Sequence, residues 1–285
     1  MPRAICIAVD DYGLHEGINQ AALLLAAAGR VHAIGCMVGA AAWPQGSRAL
    51  VDLARHHQHA DGVDLGLHLD LTESPCGCLE RRPLWRLIFD CWSGRIDRPL
   101  LRAEIRRQLD AFEQAVGRPP DYVDGHQHVH QFPVVRAELI DELCSRYPGR
   151  RPWLRSTVRP ALTKGPAFGV KSWLIGALGA AEMTKAARLR ALGHNRRLLG
   201  VHAFSDGPDI FAAHFRDWLS VAATADLLMC HPSLPFNGVD PILEARLAEF
   251  KVLSGETFER WLIDADIVLR PMSRILETVN VIDGN

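Results

Sequence analysis

Short apolar runs rich in β-branched residues alternate with longer stretches of helical spacing along most of the chain, and this alternation limits the folds open to it. "AICIAVD", "VHAIGCMV" and "GVDLGLHLDL" read as strands, with helices between them through "EGINQAALLLAAAG", closing at Gly29, and from about Pro44 to His57. A helix over "RPLLRAEIRRQLDAFEQAVG" leads to the strand "PDYVDGH", the helix "PVVRAELIDELCSRY" and a further strand in "PWLRST". Residues 160 to 196 carry two helical pieces around Gly and Pro. The late strands "RLLGVHAF" and "ADLLMCHP" flank a helix through "DIFAAHFRDWLSVA", and helices close the chain from "DPILEARLAEFKVL" onward. Alternation sustained over this length means a mostly parallel sheet covered by helices. With no strong linker, repeat or low-complexity block, the expectation is one α/β domain over residues 1–285, a TIM-barrel-like fold rather than an open doubly wound sheet. A Pro/Gly-rich insertion at about 73–97 contains Trp85 and Trp92.

Both architectures gather functional side chains where strands end and turn into loops. Asp10 and Asp11 end the first strand, His68 lies near the end of the third, "DGHQHVH" ends the fourth, Arg155 the fifth, and His231 a late one. Each alone has an ordinary explanation. An Asp there can cap a helix, His68 can be a satisfied core histidine, Arg155 an ion-pair residue, and His231 can shape the turn before Pro232. Five strand ends delivering such residues to one edge is harder to explain away.

The seven residues from Asp124 to His130 sharpen the point. Alternate side chains of an extended chain point the same way, which would set Asp124, His126, His128 and His130 on one face. Imidazole is both a common metal ligand and a group that titrates near neutral pH. The row therefore fits a metal site, a proton-transfer site or a hydrogen-bonded structural cluster. Adjacent carboxylates cannot both point inward from a regular strand, so the chain must turn at Asp10–Asp11. One carboxylate with two imidazoles suits a divalent ion with open positions, which acidifies a water and polarises a carbonyl. A second carboxylate can take a proton and a spare histidine can give one to a leaving group. Together these are the parts of a metal-assisted hydrolase.

Composition removes other classes. Net charge is −1 and 48% of residues are apolar, so no basic excess points to nucleic acid or an anionic membrane. No run approaches the roughly 18 apolar residues of a membrane span, and the apolar run in "MPRAICIAVDD" is too short for a secretory signal. The seven cysteines form no C-x-x-C pair, and Cys76 and Cys78 fall in the Gly-rich "PCGCLE". Reduced thiols in a cytoplasmic protein are expected.

"VDDYGLHEGIN" resembles the "DDFG…GxN" opening of the YdjC-like carbohydrate deacetylases, and "GLHLDLTE", "DGHQHVHQFP" and "LMCHP" resemble that family's next blocks in order. The family includes chito-oligosaccharide deacetylases and hopanoid-associated HpnK-type proteins. The resemblance implies an irregular (β/α) barrel that removes N-acetyl groups from amino sugars with one bound divalent cation, Mg²⁺ or Zn²⁺, and a homodimer. It implies Asp11, His68 and His126 as metal ligands and Asp10 as the base. His231 is the candidate acid. His128 and His130 are assigned to the surroundings of the metal or the substrate pocket, and Arg155 to orienting Asp10 or holding a sugar hydroxyl. Tyr12 replaces the usual Phe, adding a hydroxyl near the site, and Gln127 stands where some members have histidine. Hydrolysis of a cyclic amide or phosphoester, or non-catalytic sugar or metal binding, are the competing readings. Asp10 argues against mere binding, because a binding site needs no spare base.

Overall fold

The central strand, β1 (Arg3–Tyr12), is buried from Ile5 to its end, as befits a strand covered on both faces. A computed structural model describes residues 2–56, 62–160, 170–205 and 207–283. Around β1 lie β2 (Ala33–Cys36), β3 (Asp64–Leu69), β4 (Tyr122–Gly125), β5 (Trp153–Leu154), β6 (Leu198–Leu199), β7 (Leu227–Cys230) and β8 (Ile267–Leu269). The order is β5-β4-β3-β2-β1-β7-β6, every pairing is parallel, and β8 pairs with the first residues of β1. The sheet curls until its two ends approach. Leu154 N–H donates to Gly193 O at 2.8 Å and Leu198 N–H to Val158 O at 2.8 Å, a thin seam where a regular barrel would have a full ladder. The chain forms the barrel-type α/β fold expected from the alternation, with the irregularity that the family resemblance implies.

The crossovers are α1 (Glu16–Ala27), α2 (Trp43–His56), α3 (Leu84–Trp92), α4 (Arg98–Val116), α5 (Pro133–Arg146), α6 (Val170–Ala177), α7 (Ala180–Leu189), α8 (Pro208–Val221), α9 (Leu243–Leu253), α10 (Phe258–Asp264) and α11 (Met272–Asp283). Their ends follow local chemistry. The Asp97 carboxylate accepts from Leu100 N–H to start α4, Pro99 occupies its first turn, and Gly117 at φ 79° ends it. None of the helices among the described residues is long and apolar enough to cross a membrane. All seven cysteines are free.

Two expectations change, and the insertion takes a definite form. The histidine row is not a strand: β4 stops at Gly125 and His126–Gln131 form a short 3-10 helix, with Gln127 at φ 53° and His128 at φ 59°. The three imidazoles therefore fan out instead of sharing a face. The C-terminal part is not wholly helical, because Ile267–Leu269 add a strand to β1. The insertion holds an ordered helix, α3, whose Trp85 and Trp92 are 68% and 48% exposed. Its approach is fixed by the buried Glu104 of α4, which accepts from the N–H groups of Cys76 (2.5 Å) and Cys78 (2.7 Å). Of the two helical pieces expected between 160 and 196, α6 and α7 are present, while 161–169, like His57 at the expected end of α2, lie outside the described residues.

Candidate active site

The turn demanded by two adjacent carboxylates is present. Asp11 has φ 66°, in the left-handed region that Asp tolerates better than most residues, and the β1–β2 register shifts between Val9 and Tyr12. Asp10 and Asp11, each 2% exposed, thereby enter the same enclosed space by different routes.

On the Asp11 side, His126 Nδ1–H donates to Oδ1 at 2.9 Å, and His68 Nε2 lies 3.4 Å from the same oxygen. Sheet register places His68 beside Asp124, so that His68 Nδ1–H donates to Asp124 Oδ1 at 2.7 Å. That bond fixes the ring and aims its other nitrogen at Asp11, the arrangement by which proteins orient a metal-binding imidazole. Asp11, His68 and His126 each offer a ligand atom within 4.8 Å of the others, and His126 Nε2 is buried without a hydrogen bond, 3.2 Å from Glu73 Oε1. A mixed N/O set of this kind suits a divalent cation. Asp10, His68 and Asp124 form an overlapping trio, but the Arg155 guanidinium lies between its carboxylates and opposes a cation there.

On the Asp10 side, Arg155 grips both carboxylate oxygens at 2.6 Å and lies 2.6 Å from Asp124 Oδ2. His231 Nε2 is 3.8 Å from Asp10 Oδ2. Burial would raise the Asp10 pKa, but the charge and hydrogen bonds of Arg155, with His68 and His231, hold it well below the carboxylate range. Asp11 follows the same logic: burial opposes ionisation, and Arg246 and His126 overcome it. His68, despite burial, is pushed up to about 10 by Asp124 and Asp10, and His126 rises because of Asp11. The two rings thus carry protons that a cation would have to displace.

Other candidates stand further back. His130 is fully buried, its Nε2–H donates to Arg155 O at 3.0 Å, and burial lowers its pKa to about 4. His128 is lowered by burial and by Arg155. Arg155 is 0% exposed, with its guanidinium paired to the carboxylates of Asp10 and Asp124. The Tyr12 hydroxyl turns from the site and donates to Gly46 O on α2 at 2.8 Å.

Sequence reasoning missed three charged residues here. Arg246 and Glu249 on α9 are buried at 3% and 0%. Arg246 donates to Asp11 Oδ2 at 2.7 Å and to Asp240 Oδ2 at 2.6 Å. Glu249 accepts from His202 Nε2–H at 2.9 Å and from the His231 backbone N–H. The third, Glu73, comes from the insertion. The three-residue spacing of Arg246 and Glu249 was the available signal, since it puts both on one helix face.

Comparison with known proteins gives concordant results. The family model described as YdjC-like protein matches residues 4–264. A carbohydrate deacetylase of Mus musculus is 27% identical across 94% of this chain and 94% of its own length. A chitooligosaccharide deacetylase of Serratia marcescens is 28% identical over 47% of this chain and 53% of its own. A solved structure of an Enterococcus faecalis V583 protein proposed to cleave cellobiose phosphate superposes with a TM-score of 0.66 at 16% identity, covering 97% of this chain and 100% of that one, and so shares its fold.

Proposed function

The chain belongs to the YdjC-like family, and from that membership and the site geometry we propose that it is a metal-dependent hydrolase removing N-acetyl groups from an acetylated amino sugar or oligosaccharide. The carrying observation is the pairing, in one buried space, of the Asp11–His68–His126 set with Asp10 on one side and His231 3.8 Å from Asp10. Its similarity to proteins named carbohydrate and chitooligosaccharide deacetylases supports the choice of bond.

Asp11, His68 and His126 would hold one divalent cation, Zn²⁺ or Mg²⁺. When bound, the cation supplies Lewis acidity toward the acetamide carbonyl and acidifies a water. Asp10 orients the attacking water and takes its proton. Arg155 makes Asp10 a weak base, so its part is chiefly geometric, holding one acceptor at a fixed place and always ionised. Asp124 holds both Arg155 and His68, and so ties the base to a metal ligand through one carboxylate. His231 faces the same space and gives a proton to the departing nitrogen as the C–N bond breaks. His128 and His130, kept neutral by burial, add no charge that would oppose the cation.

The test is acetate release from N-acetylated chito-oligosaccharides of one to six sugars, with the protein stripped by chelator and then supplied with Zn²⁺, Mg²⁺ or Mn²⁺. Release that depends on the added cation supports the reading. No release from any of these substrates with any of the three metals overturns it.

A further inference from the structure

We propose that Glu249, braced by His202, is the positioning residue for His231, holding the ring with Nδ1–H toward a carboxylate and Nε2 toward Asp10. The proton's destination rests on the deacetylase reading; the positioning itself does not.

Glu249 is 0% exposed, and a carboxylate buried that deeply is costly unless its oxygens are matched. They are matched by histidines on both sides. Oε1 accepts from His202 Nε2–H at 2.9 Å, and Oε2 accepts from the His231 backbone N–H. Burial would raise the Glu249 pKa, but these bonds and the two rings pull it down to about 2, so the group is ionised. His202 is in turn packed by aromatic rings, with Phe211 at 5.2 Å and Trp218 at 6.0 Å between centroids.

The His231 ring lies between two carboxylates. Nε2 is 3.8 Å from Asp10 Oδ2 and Nδ1 is 3.8 Å from Glu249 Oε1. Nδ1 is buried and makes no hydrogen bond, so Glu249 is the acceptor placed to receive a hydrogen bond from Nδ1–H with a small closure. Phe204 stands edge-on to the ring at 4.9 Å. The other charges near it are Arg246, whose NH1 approaches His231 O at 3.4 Å, and Arg155, which shares Asp10.

One oxygen anchors the turn through the backbone N–H; the other, Oε1, is held by His202 Nε2–H and in that position faces the His231 ring at Nδ1. A carboxylate facing Nδ1 selects the tautomer with hydrogen there and stabilises the imidazolium, leaving Nε2–H as the proton to give. As the C–N bond breaks, that proton passes to the nitrogen and the ring becomes neutral, still held by Glu249. A glutamine at this position could accept from the backbone N–H but would present NH₂ both to Nδ1 and to the His202 ring nitrogen that now donates to Oε1. The His231 ring would then keep its hydrogen on Nε2 as a neutral imidazole, a far poorer acid.

The experiment compares metal-loaded wild type, Glu249→Gln and Glu249→Asp. Imidazole nitrogen NMR of the wild type is expected to show neutral His231 protonated on Nδ1, and Glu249→Gln to move that hydrogen to Nε2. For acetate release, Glu249→Gln is expected to lower kcat by ~10²-fold with KM and metal stoichiometry unchanged, and to move the alkaline limb of the kcat profile to lower pH. Glu249→Asp, which keeps the charge, should recover part of the loss. A merely structural glutamate gives the reverse order, with the isosteric Gln near wild type and the shorter Asp worse. Wild-type His231 with Nδ1 unprotonated, or Glu249→Gln with unchanged kcat and pH profile, overturns the proposal. The wild-type tautomer decides the matter even if the Gln variant does not fold. If the wild type releases no acetate, the reaction assignment fails while the tautomer result still stands.

Discussion

Asp124→Asn is the most informative single change, because Asp124 touches neither solvent nor the proposed metal position yet joins both halves of the site. Its Oδ1 accepts from His68 at 2.7 Å and its Oδ2 lies 2.6 Å from Arg155. Asparagine can match only one of them. If its carbonyl faces Arg155, its NH₂ faces His68 Nδ1 and drives the ring's hydrogen onto Nε2, the atom aimed at Asp11. If the carbonyl faces His68, the NH₂ opposes a guanidinium N–H. The first arrangement puts a hydrogen on the nitrogen that would bind metal, and the second leaves a buried donor unpaired, at a cost of about 1–3 kcal/mol. Loss of the carboxylate behind a metal-binding histidine typically weakens metal by roughly 10–100-fold, about 1.4–2.7 kcal/mol. The assay is Zn²⁺ affinity by chelator competition at pH 7.5, with circular dichroism as the check on folding. A folded Asp124→Asn protein with affinity within about twofold of wild type would refute the orienting role. Complete loss of stoichiometric binding would instead move the cation into the Asp10–His68–Asp124 trio.

Three further outcomes are expected. Asp10→Asn should lower kcat by ~10²-fold or more while keeping metal stoichiometry, measured by elemental analysis and acetate release; loss of metal along with activity would exchange the roles of Asp10 and Asp11. Metal affinity should rise with pH, because His68, pushed up to about 10, and the raised His126 must lose protons when a cation binds; calorimetry in buffers of different ionisation enthalpy counts the protons released, and none released at pH 7 refutes this. Asp64, at the start of β3, is pushed up to about 6 by burial and by Asp121. A folded pKa above the unfolded 3.8 means stability present below pH 4 and lost as pH rises through 6, about 3 kcal/mol in all. Urea unfolding should therefore show the stability advantage of wild type over Asp64→Asn shrinking between pH 4 and 7.

The strand ends were legible because β1, β3, β4 and β7 are buried on both faces, so an Asp or His at their limits breaks an otherwise apolar run. That logic reaches Asp10, Asp11, His68, His126 and His231. It does not reach the path of the chain after Gly125, where Gln127 and His128 take left-handed φ with no glycine to announce it. Three residues of β8 are too few to set up a period of two. Arg246 and Glu249 were lost because their three-residue spacing in "LEARLAEFKVL" shows only that they share a helix face, and charges so placed ordinarily face water. The exposed Trp85 and Trp92 resist reading for the opposite reason, since apolar spacing gives a helix face without saying which side the core takes.

The seam between β5 and β6 has a consequence in time as well as in space. Cross-strand bonds hold β1 to neighbours on both sides, whereas Leu154 meets the far edge through single backbone bonds. Amide hydrogens of Leu154 and Leu198 should therefore exchange with solvent earlier than those in the middle of β1, through local opening rather than global unfolding. Arg155 is the next residue after Leu154, but its N–H donates inward to Val123 O at 3.2 Å and its carbonyl accepts from His130, so the residue that restrains Asp10 stays anchored on the protected side when the seam opens.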